Sequence, residues 1–524
     1  MAIIYKVDKR RTVPRWRSYE KTSALGELAL VKSEDKSEKA IIFTDEELLT
    51  ERFAWERSQN LTQAGNLLSS AFVLDLHTNY KDVAKFVIEN DTDLTSPLNR
   101  LAKKVLGIKE DIYVEEDILL KDISSLPKFL SKDINTFRNY LKREPKNAIA
   151  WIELGRLYSI IGKREKAQRC ILTALAIDKD NRYVARSSSR FFHHFERDNE
   201  RALYIIKQSE YSKNDPWLIS ADIVYSSILN RNSKLIKNGL DYLAKEKTDF
   251  FSVTELASSI GTIEAMNGKL KKAKQHFQKS LIAPNDNSLA QISWMIHDSN
   301  IIQEKLHDLD IPCAFEVKAQ VAYDTGKYQD AFNNAYSWLK DEPFSTRPVR
   351  LASYISGVFL NKANISVMLL KFGLTINPDS RELLNDLIYF LIQNNQTEEA
   401  INLFKQIAHR LLENTGDDPK LVYTATAGLI LYKEGYPQKG EELYLKAIKQ
   451  AEQQKNYYLL AIGLSNYVEQ EIEAYNDYIK IQSLVLRLKE ITKGQTAPDV
   501  IFFRDRAIEK FDLFKASVLQ NKVT

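Results

Sequence analysis

The residues best suited to chemistry lie at the start of the chain, where Lys9-Arg10-Arg11 is followed by Arg15-Trp16-Arg17. Residues 1–22 hold seven basic side chains against Asp8 and Glu20. Clustered guanidinium groups meet phosphates, and a tryptophan between them can stack on a base. The same groups can dock on carboxylates, either of a partner or of the chain itself. Arg10, Arg11, Arg15, Trp16 and Arg17 are therefore candidate contacts to phosphate or to an acidic protein surface. The protein surface is the favoured reading. The whole chain carries 74 basic and 70 acidic residues for a net +4, so beyond the arm no general basic field helps hold an oligonucleotide.

Other reactive groups are scattered. His193-His194 stand beside Glu196 and Asp198, but adjacent side chains on a helix point about 100° apart and rarely share one metal. They read as polar residues near a helix end. His307-Asp308-x-Asp310 with Cys313 has ligand-like atoms, and reads as a loop with caps. Glu398-Glu399 and Glu441-Glu442 fall in first turns of helices, where carboxylates complement the positive end of the helix dipole. No P-loop, dinucleotide fingerprint, H-E-x-x-H, C-x-x-C or G-x-S-x-G pattern occurs. The expectation is a protein that is not an enzyme, with no catalytic, cofactor or metal site.

Stepping along the chain, the elements that must position the arm are helical. Gly and Pro number 17 and 13 of 524 residues, about half their usual share. Ala148–Lys179 places Trp151, Leu154, Gly155, Tyr158, Gly162, Ala167, Ile171 and Ala174 at the spacing of two antiparallel helices. Small residues sit where such helices cross and large ones fill the gaps. Related second helices begin at Gly268, Gly326, Gln396 and Gly435. The crossing residues are Ala167, Ala202, Ala273, Ala331, Ser366, Ala400 and Gly440. From Ala331 their spacing is 35, 34 and 40 residues. Ala202 to Ala273 is 71 residues, which leaves room for a degenerate unit around Trp217–Leu243.

These residues resemble the tetratricopeptide-repeat (TPR) superfamily, whose period is near 34, over residues 112–455. The match is strong at Trp151–Lys179 and weak at Tyr183–Asn214 and Arg347–Pro378. The resemblance implies an all-α solenoid, a right-handed superhelix of helix pairs, with a face lined by the first helices that holds a partner segment. Carried onto this sequence, the lining places fall on Ile152, Arg156 and Ser159, then Ser258 and Thr262. Glu316, Gln320 and Tyr323 follow, then Leu351 and Ile355, and finally Asn385, Tyr389 and Ile392. Chaperone adaptors of the superfamily place lysine and asparagine there. Ile152 and Arg156 depart from that pattern, so a chaperone-tail adaptor is not expected.

The organisation expected is a head with its basic arm (1–110), a repeat block (111–292), an irregular break (293–312), a second block (313–455) and a helical cap (456–524). The break follows from the 58 residues between Ala273 and Ala331, which hold no whole number of repeats. It should turn the superhelix. Short strands are expected in the head at Ile3–Val7, Leu28–Val31 and Ala40–Phe43. Helices are expected from Thr44-Asp45-Glu46-Glu47 to Arg57, and at Gln59–Leu76, Lys81–Ile88 and Pro97–Leu106. Cys170 and Cys313 read as free thiols of a reducing compartment. No signal peptide stands out and no run is long enough to cross a bilayer, which favours the cytoplasm. The function expected is a protein-interaction scaffold. The alternatives are a nucleic-acid-associated regulator using the arm, or the scaffold or sensor subunit of a bacterial defence or toxin system acting with a separate nuclease.

Overall fold

The computed structural model describes residues 11–28, 45–73, 77–91, 97–108, 116–245, 249–299, 306, 311–412, 417–474 and 477–520. The chain forms two compact units, Met1–Tyr19 with Glu116–Thr524, and Glu20–Glu115. The basic arm thus belongs with the repeats and not with the head. Among the described residues every regular element is helical. The strands expected at Ile3–Val7 and Ala40–Phe43 lie outside the described residues, as does most of Leu28–Val31.

In the smaller unit, α1 (Tyr19–Ala24) begins at the unit boundary. It is followed by α2 (Asp45–Arg57), α3 (Leu61–Val73), α4 (Lys81–Asn90) and α5 (Pro97–Leu106). Leu48, Trp55, Leu67, Leu68, Val83, Val87 and Val105 form its core.

The larger unit opens with α6 (Glu116–Arg143) and then runs as helix pairs: α7 (Ala148–Ile160) with α8 (Arg164–Ile177), α9 (Arg182–His194) with α10 (Asn199–Gln208), α11 (Pro216–Ile228) with α12 (Ile236–Ala244), and α13 (Thr254–Met266) with α14 (Leu270–Ser280). Helix α15 (Asp286–Ser299) stacks beside α13. Residues 300–305 and 307–310 of the expected break, with His307, Asp308 and Asp310, lie outside the described residues. Pairing resumes with α16 (Phe315–Asp324) and α17 (Tyr328–Asp341), α18 (Thr346–Tyr354) and α19 (Ala363–Ile376), α20 (Arg381–Gln393) and α21 (Thr397–Leu412), and α22 (Asp417–Lys433) and α23 (Pro437–Gln453). Helices α24 (Tyr457–Ala474) and α25 (Tyr478–Ile491) pair again, and α26 (Pro498–Gln520) packs on both. This is a solenoid of consecutive helix pairs.

Local chemistry sets the helix ends. Asn147, Asn181, Asp198, Asp215 and Ser380 accept hydrogen bonds from backbone N–H groups of the first turns that follow them. Within each of the eight pairs from α7 with α8 to α22 with α23, the turn holds one residue at positive φ: Gly162, Arg197, Asn230, Gly268, Gly326, Asn361, Asn395 and Gly435. In six of these turns the next N–H reaches back five residues, as Lys163 does to the Tyr158 carbonyl at 2.8 Å. This bond satisfies a carbonyl that the helix end would otherwise leave unpaired. In the other two it reaches back six: Asp198 to Phe192 at 3.0 Å and Lys362 to Ser356 at 2.8 Å. A π-turn at Ile355–Phe359 precedes the second of these.

The crossing residues Ala167, Ala202, Ala273, Ala331, Ser366 and Ala400 are wholly buried, and Gly440 is buried as well. The unit between Ala202 and Ala273 uses Gly239, where a Cβ would come within 3.0 Å of Leu256 and 3.1 Å of Ile260.

Candidate functional site: the face of the first helices

Residues 11–18 have no regular secondary structure and run along the face lined by the first helices of the pairs. Pro14 fixes its own φ and drives Val13 toward an extended conformation. The stretch forms a strap across the repeats.

Arg15 and Arg17 anchor it. The Arg15 guanidinium meets Asp286 from α15 (Nε–Oδ2, 3.2 Å), Glu316 from α16 (Nη2–Oε2, 2.8 Å) and Glu342 just beyond α17. Arg17 grips Asp286 with two nitrogens (2.6 and 3.2 Å) and donates from Nε to Asp341 (2.7 Å). Their side chains are only 7% and 2% exposed, so these charges are desolvated and depend on one another. Burial alone would raise the Glu342 carboxyl. Arg15, Arg190 and Arg17, with the Trp338 indole N–H at 2.9 Å, hold it instead well below the usual carboxylate range. Burial would likewise disfavour the charge on Arg15, but Glu342, Asp286 and Glu316 keep it protonated.

Between the two arginines, Trp16 is buried between Phe191 of α9 (ring centroids 6.1 Å, perpendicular) and Phe344 (5.4 Å). The backbone is read too. Asn287 donates to the Val13 carbonyl (3.0 Å), and the Tyr183 hydroxyl lies 2.8 Å from the Arg17 carbonyl. Glu153 accepts from the Tyr19 N–H (3.0 Å). Around the strap, Glu255 binds Arg186 (3.0 Å), Asn285 (3.0 Å) and Asn287 (2.9 Å), and Arg347 pairs with Glu316 (2.7 Å).

The strap therefore ties residues on both sides of the 293–312 segment. The two sides also meet directly. His194 lies 3.0 Å from the Asn377 Oδ1. A Cβ on Gly162 would come within 2.3 Å of the Thr375 carbonyl oxygen.

The C-terminal half of the face is covered by α26. Val500, Phe503, Ala507 and Phe511 form its buried stripe. Asp499, at its first turn, accepts from the Tyr354 hydroxyl of α18 (3.2 Å) and from Tyr458. Arg506 donates to Glu469 (2.7 Å), while Phe502 meets Phe359 (5.2 Å).

The lining places carried over from the TPR resemblance are mostly interior. Ile152, Ser159, Ser258, Thr262, Tyr323, Leu351, Ile355, Asn385, Tyr389 and Ile392 are all buried. Ser159 and Thr262 bond back to carbonyls of their own helices, at 2.9 Å each. Arg156 pairs with Glu153 at 3.3 Å, and Gln320 donates to Asp324 at 3.0 Å. Glu316 joins the Arg15 cluster, Thr262 lies beside Arg11 and Thr12, and Tyr389 meets α26. The structure does not gather them into one open groove. Arg11 reaches the Met266 sulfur at 3.4 Å, and Arg10 lies outside the described residues.

Sequence reasoning missed Glu153, Tyr183, Glu255, Asp286, Asn287, Asp341 and Glu342, the carboxylates and polar groups that hold the strap. The Asp341-Glu342 pair ahead of Pro343 was a signal, but it reads equally as a helix end. His193 and His194 point to different asparagines, Asn199 (2.7 Å) and Asn377 (3.0 Å). Burial, with Arg190 nearby, pushes His194 down to about 3. Among the described residues no group of His, Cys, Asp and Glu is placed to hold a metal ion. No helix among them is long and apolar enough to cross a membrane.

No protein-family model matches this chain, and no curated protein matches it. Many solved structures are similar, two of them as follows. The crystal structure of the yeast Tom70 is 12% identical with a TM-score of 0.31, over 88% of this chain and 98% of that one. The crystal structure of the APC/C hetero-tetramer Cut9-Hcn1 is 11% identical with a TM-score of 0.34, over 88% of this chain and 92% of that one.

Proposed function

We propose that the protein is a non-catalytic scaffold that holds an extended segment of a partner protein on the face of its first helices, in a reducing compartment such as the cytoplasm. One observation carries this reading: the face is built to hold extended polypeptide. It contacts the backbone of residues 13–19 through Asn287, Tyr183 and Glu153, and it contacts the side chains through the carboxylates around Arg15 and Arg17. Helix pairs of this kind place such a face on a rigid array, where recognition needs no pocket for chemistry. The nucleic-acid reading loses its main support, because Arg15 and Arg17 are committed to buried carboxylates and unavailable to phosphate.

The test is capture from the native host with full-length wild type and a full-length Asn287→Ala/Glu255→Gln variant of unchanged helicity. The scaffold reading expects specific partners to be lost from the variant. If the folded variant keeps every partner, the face is not the binding surface. Tight, salt-sensitive binding of single-stranded RNA by the purified wild-type chain would promote the nucleic-acid regulator instead.

A further inference from the structure

The strap has the form of a bound ligand. It has no regular secondary structure, and it interrupts no helix of the array. Three side chains anchor it in turn: a guanidinium, an indole in an aromatic socket, and a second guanidinium. Lifting it would remove two guanidiniums from Asp286, Glu316, Asp341 and Glu342, where Arg190 lies 4.0 Å from Glu342 and Arg347 pairs with Glu316. The pocket is thus acidic where its occupant is basic. Close by, Gln291 is wholly buried and neither end of its amide has a protein partner. The Thr12 hydroxyl next to it also has none, and the two line a cavity of about 10 Å³. A different occupant can bring a hydrogen-bonding group to this amide.

We propose that this pocket recognises extended Arg-aromatic-Arg segments, and that a partner protein carrying one enters by displacing residues 11–19. The proposal rests on the scaffold reading above and names its partner chemistry and its regulation. A tethered segment acts at an effective concentration on the order of millimolar. The strap therefore shields the pocket from weak or non-specific basic segments and admits only those that bind better. An occupant with a longer hydrogen-bonding side chain where Thr12 sits, such as asparagine, reaches Gln291 and gains over the resident.

The probe is a fluorescein-labelled synthetic peptide with the sequence of residues 8–22. Its binding is measured by anisotropy to full-length wild type and to full-length Arg15→Ala/Arg17→Ala, whose own strap is weakened. The variant is expected to bind at least about 10-fold more tightly than wild type, because the tethered competitor is gone. Adding Glu342→Gln and Asp286→Asn to it should abolish binding. A peptide carrying alanine at both arginines should not bind, and one with asparagine at the Thr12 position should bind more tightly than the parent. Absence of peptide binding by a folded strap variant overturns the proposal.

Should that variant fail to fold, hydrogen exchange on wild type with and without excess peptide decides instead. Faster exchange at residues 12–19 supports displacement, and unchanged protection at saturating peptide overturns it. Concentration-dependent dimerisation of wild type would make a second copy the occupant and overturn the partner proposal. Loss of peptide binding with face-dependent capture intact would overturn this proposal while leaving the scaffold reading standing.

Discussion

The two ends of the chain cover the same face by opposite physics. The N-terminal strap has no secondary structure of its own and is held by buried charge, with Arg15 and Arg17 against four carboxylates. The C-terminal α26 is a 23-residue helix held mainly by an apolar stripe, with Phe503 and Ala507 wholly buried. A helix that buries one face satisfies its own backbone and is integral to the fold. An extended segment depends on what the face offers each side chain. Buried ion pairs confer register more than net stability, because desolvation offsets much of the attraction. One end is a helix that packs by its apolar stripe, while the other depends on the side-chain partners that the face offers it.

The largest effects come from cutting each anchor. Glu342→Ala should cost about 3–5 kcal/mol by leaving buried guanidiniums uncompensated, and Phe503→Ala should cost about the same through a cavity. Urea denaturation at two pH values separates them. Glu342 titrates below its unfolded value, so its contribution is complete above about pH 4.3 and fades as pH falls below that. Acidification should thus shrink the Glu342→Ala penalty and leave the Phe503→Ala penalty unchanged. Equal penalties at both pH values would erase the distinction between the two ends.

Overpacking a helix crossing comes next. Ala167→Trp and Ala400→Trp, one on each side of the 293–312 segment, should each cost about 1–3 kcal/mol, and a variant melting within a degree or two of wild type would show the crossing is not tight there. His194 links the two sides and is held in its neutral form, so its stabilisation is complete above its unfolded value near 6.5 and is lost progressively below it. Acidification from pH 7 to 5 should remove about 2 kcal/mol, and His194→Gln should flatten that dependence. A pH profile identical in the variant would assign the loss to other groups. The smallest effect is at an open turn. Gly268→Ala should cost about 1–2 kcal/mol from its left-handed conformation alone. Gly162→Ala should cost more, because its Cβ must also displace the Thr375 backbone.

Much of the array is legible in the linear chain because each repeat is stabilised locally. A small residue at the crossing, and glycine at the intervening turn, are demanded by backbone geometry at Gly162, Gly268, Gly326 and Gly435. The signal fades where other residues meet the same demand. Asn230, Asn361 and Asn395 adopt the left-handed conformation with side chains that tolerate it, and Arg197 is forced into it. The two repeats that match the pattern weakly are those whose turn bond spans one residue more, at Asp198 and Lys362. One extra residue at the end of the first helix, absorbed by a π-turn in the second case, shifts the pattern without changing the packing.

Helix-pair periodicity, the crossing residues and the unusual basic arm with its embedded tryptophan were therefore set by the sequence alone. What those arginines meet was not. Asp286, Glu316, Asp341 and Glu342 lie about 270 to 330 residues from Arg15 and Arg17, and no local rule links such distant charges. Stacking the repeats brings the four carboxylates to one place. Only then does a run of charge that reads as solvated, or as phosphate-seeking, become buried in ion pairs against the repeats.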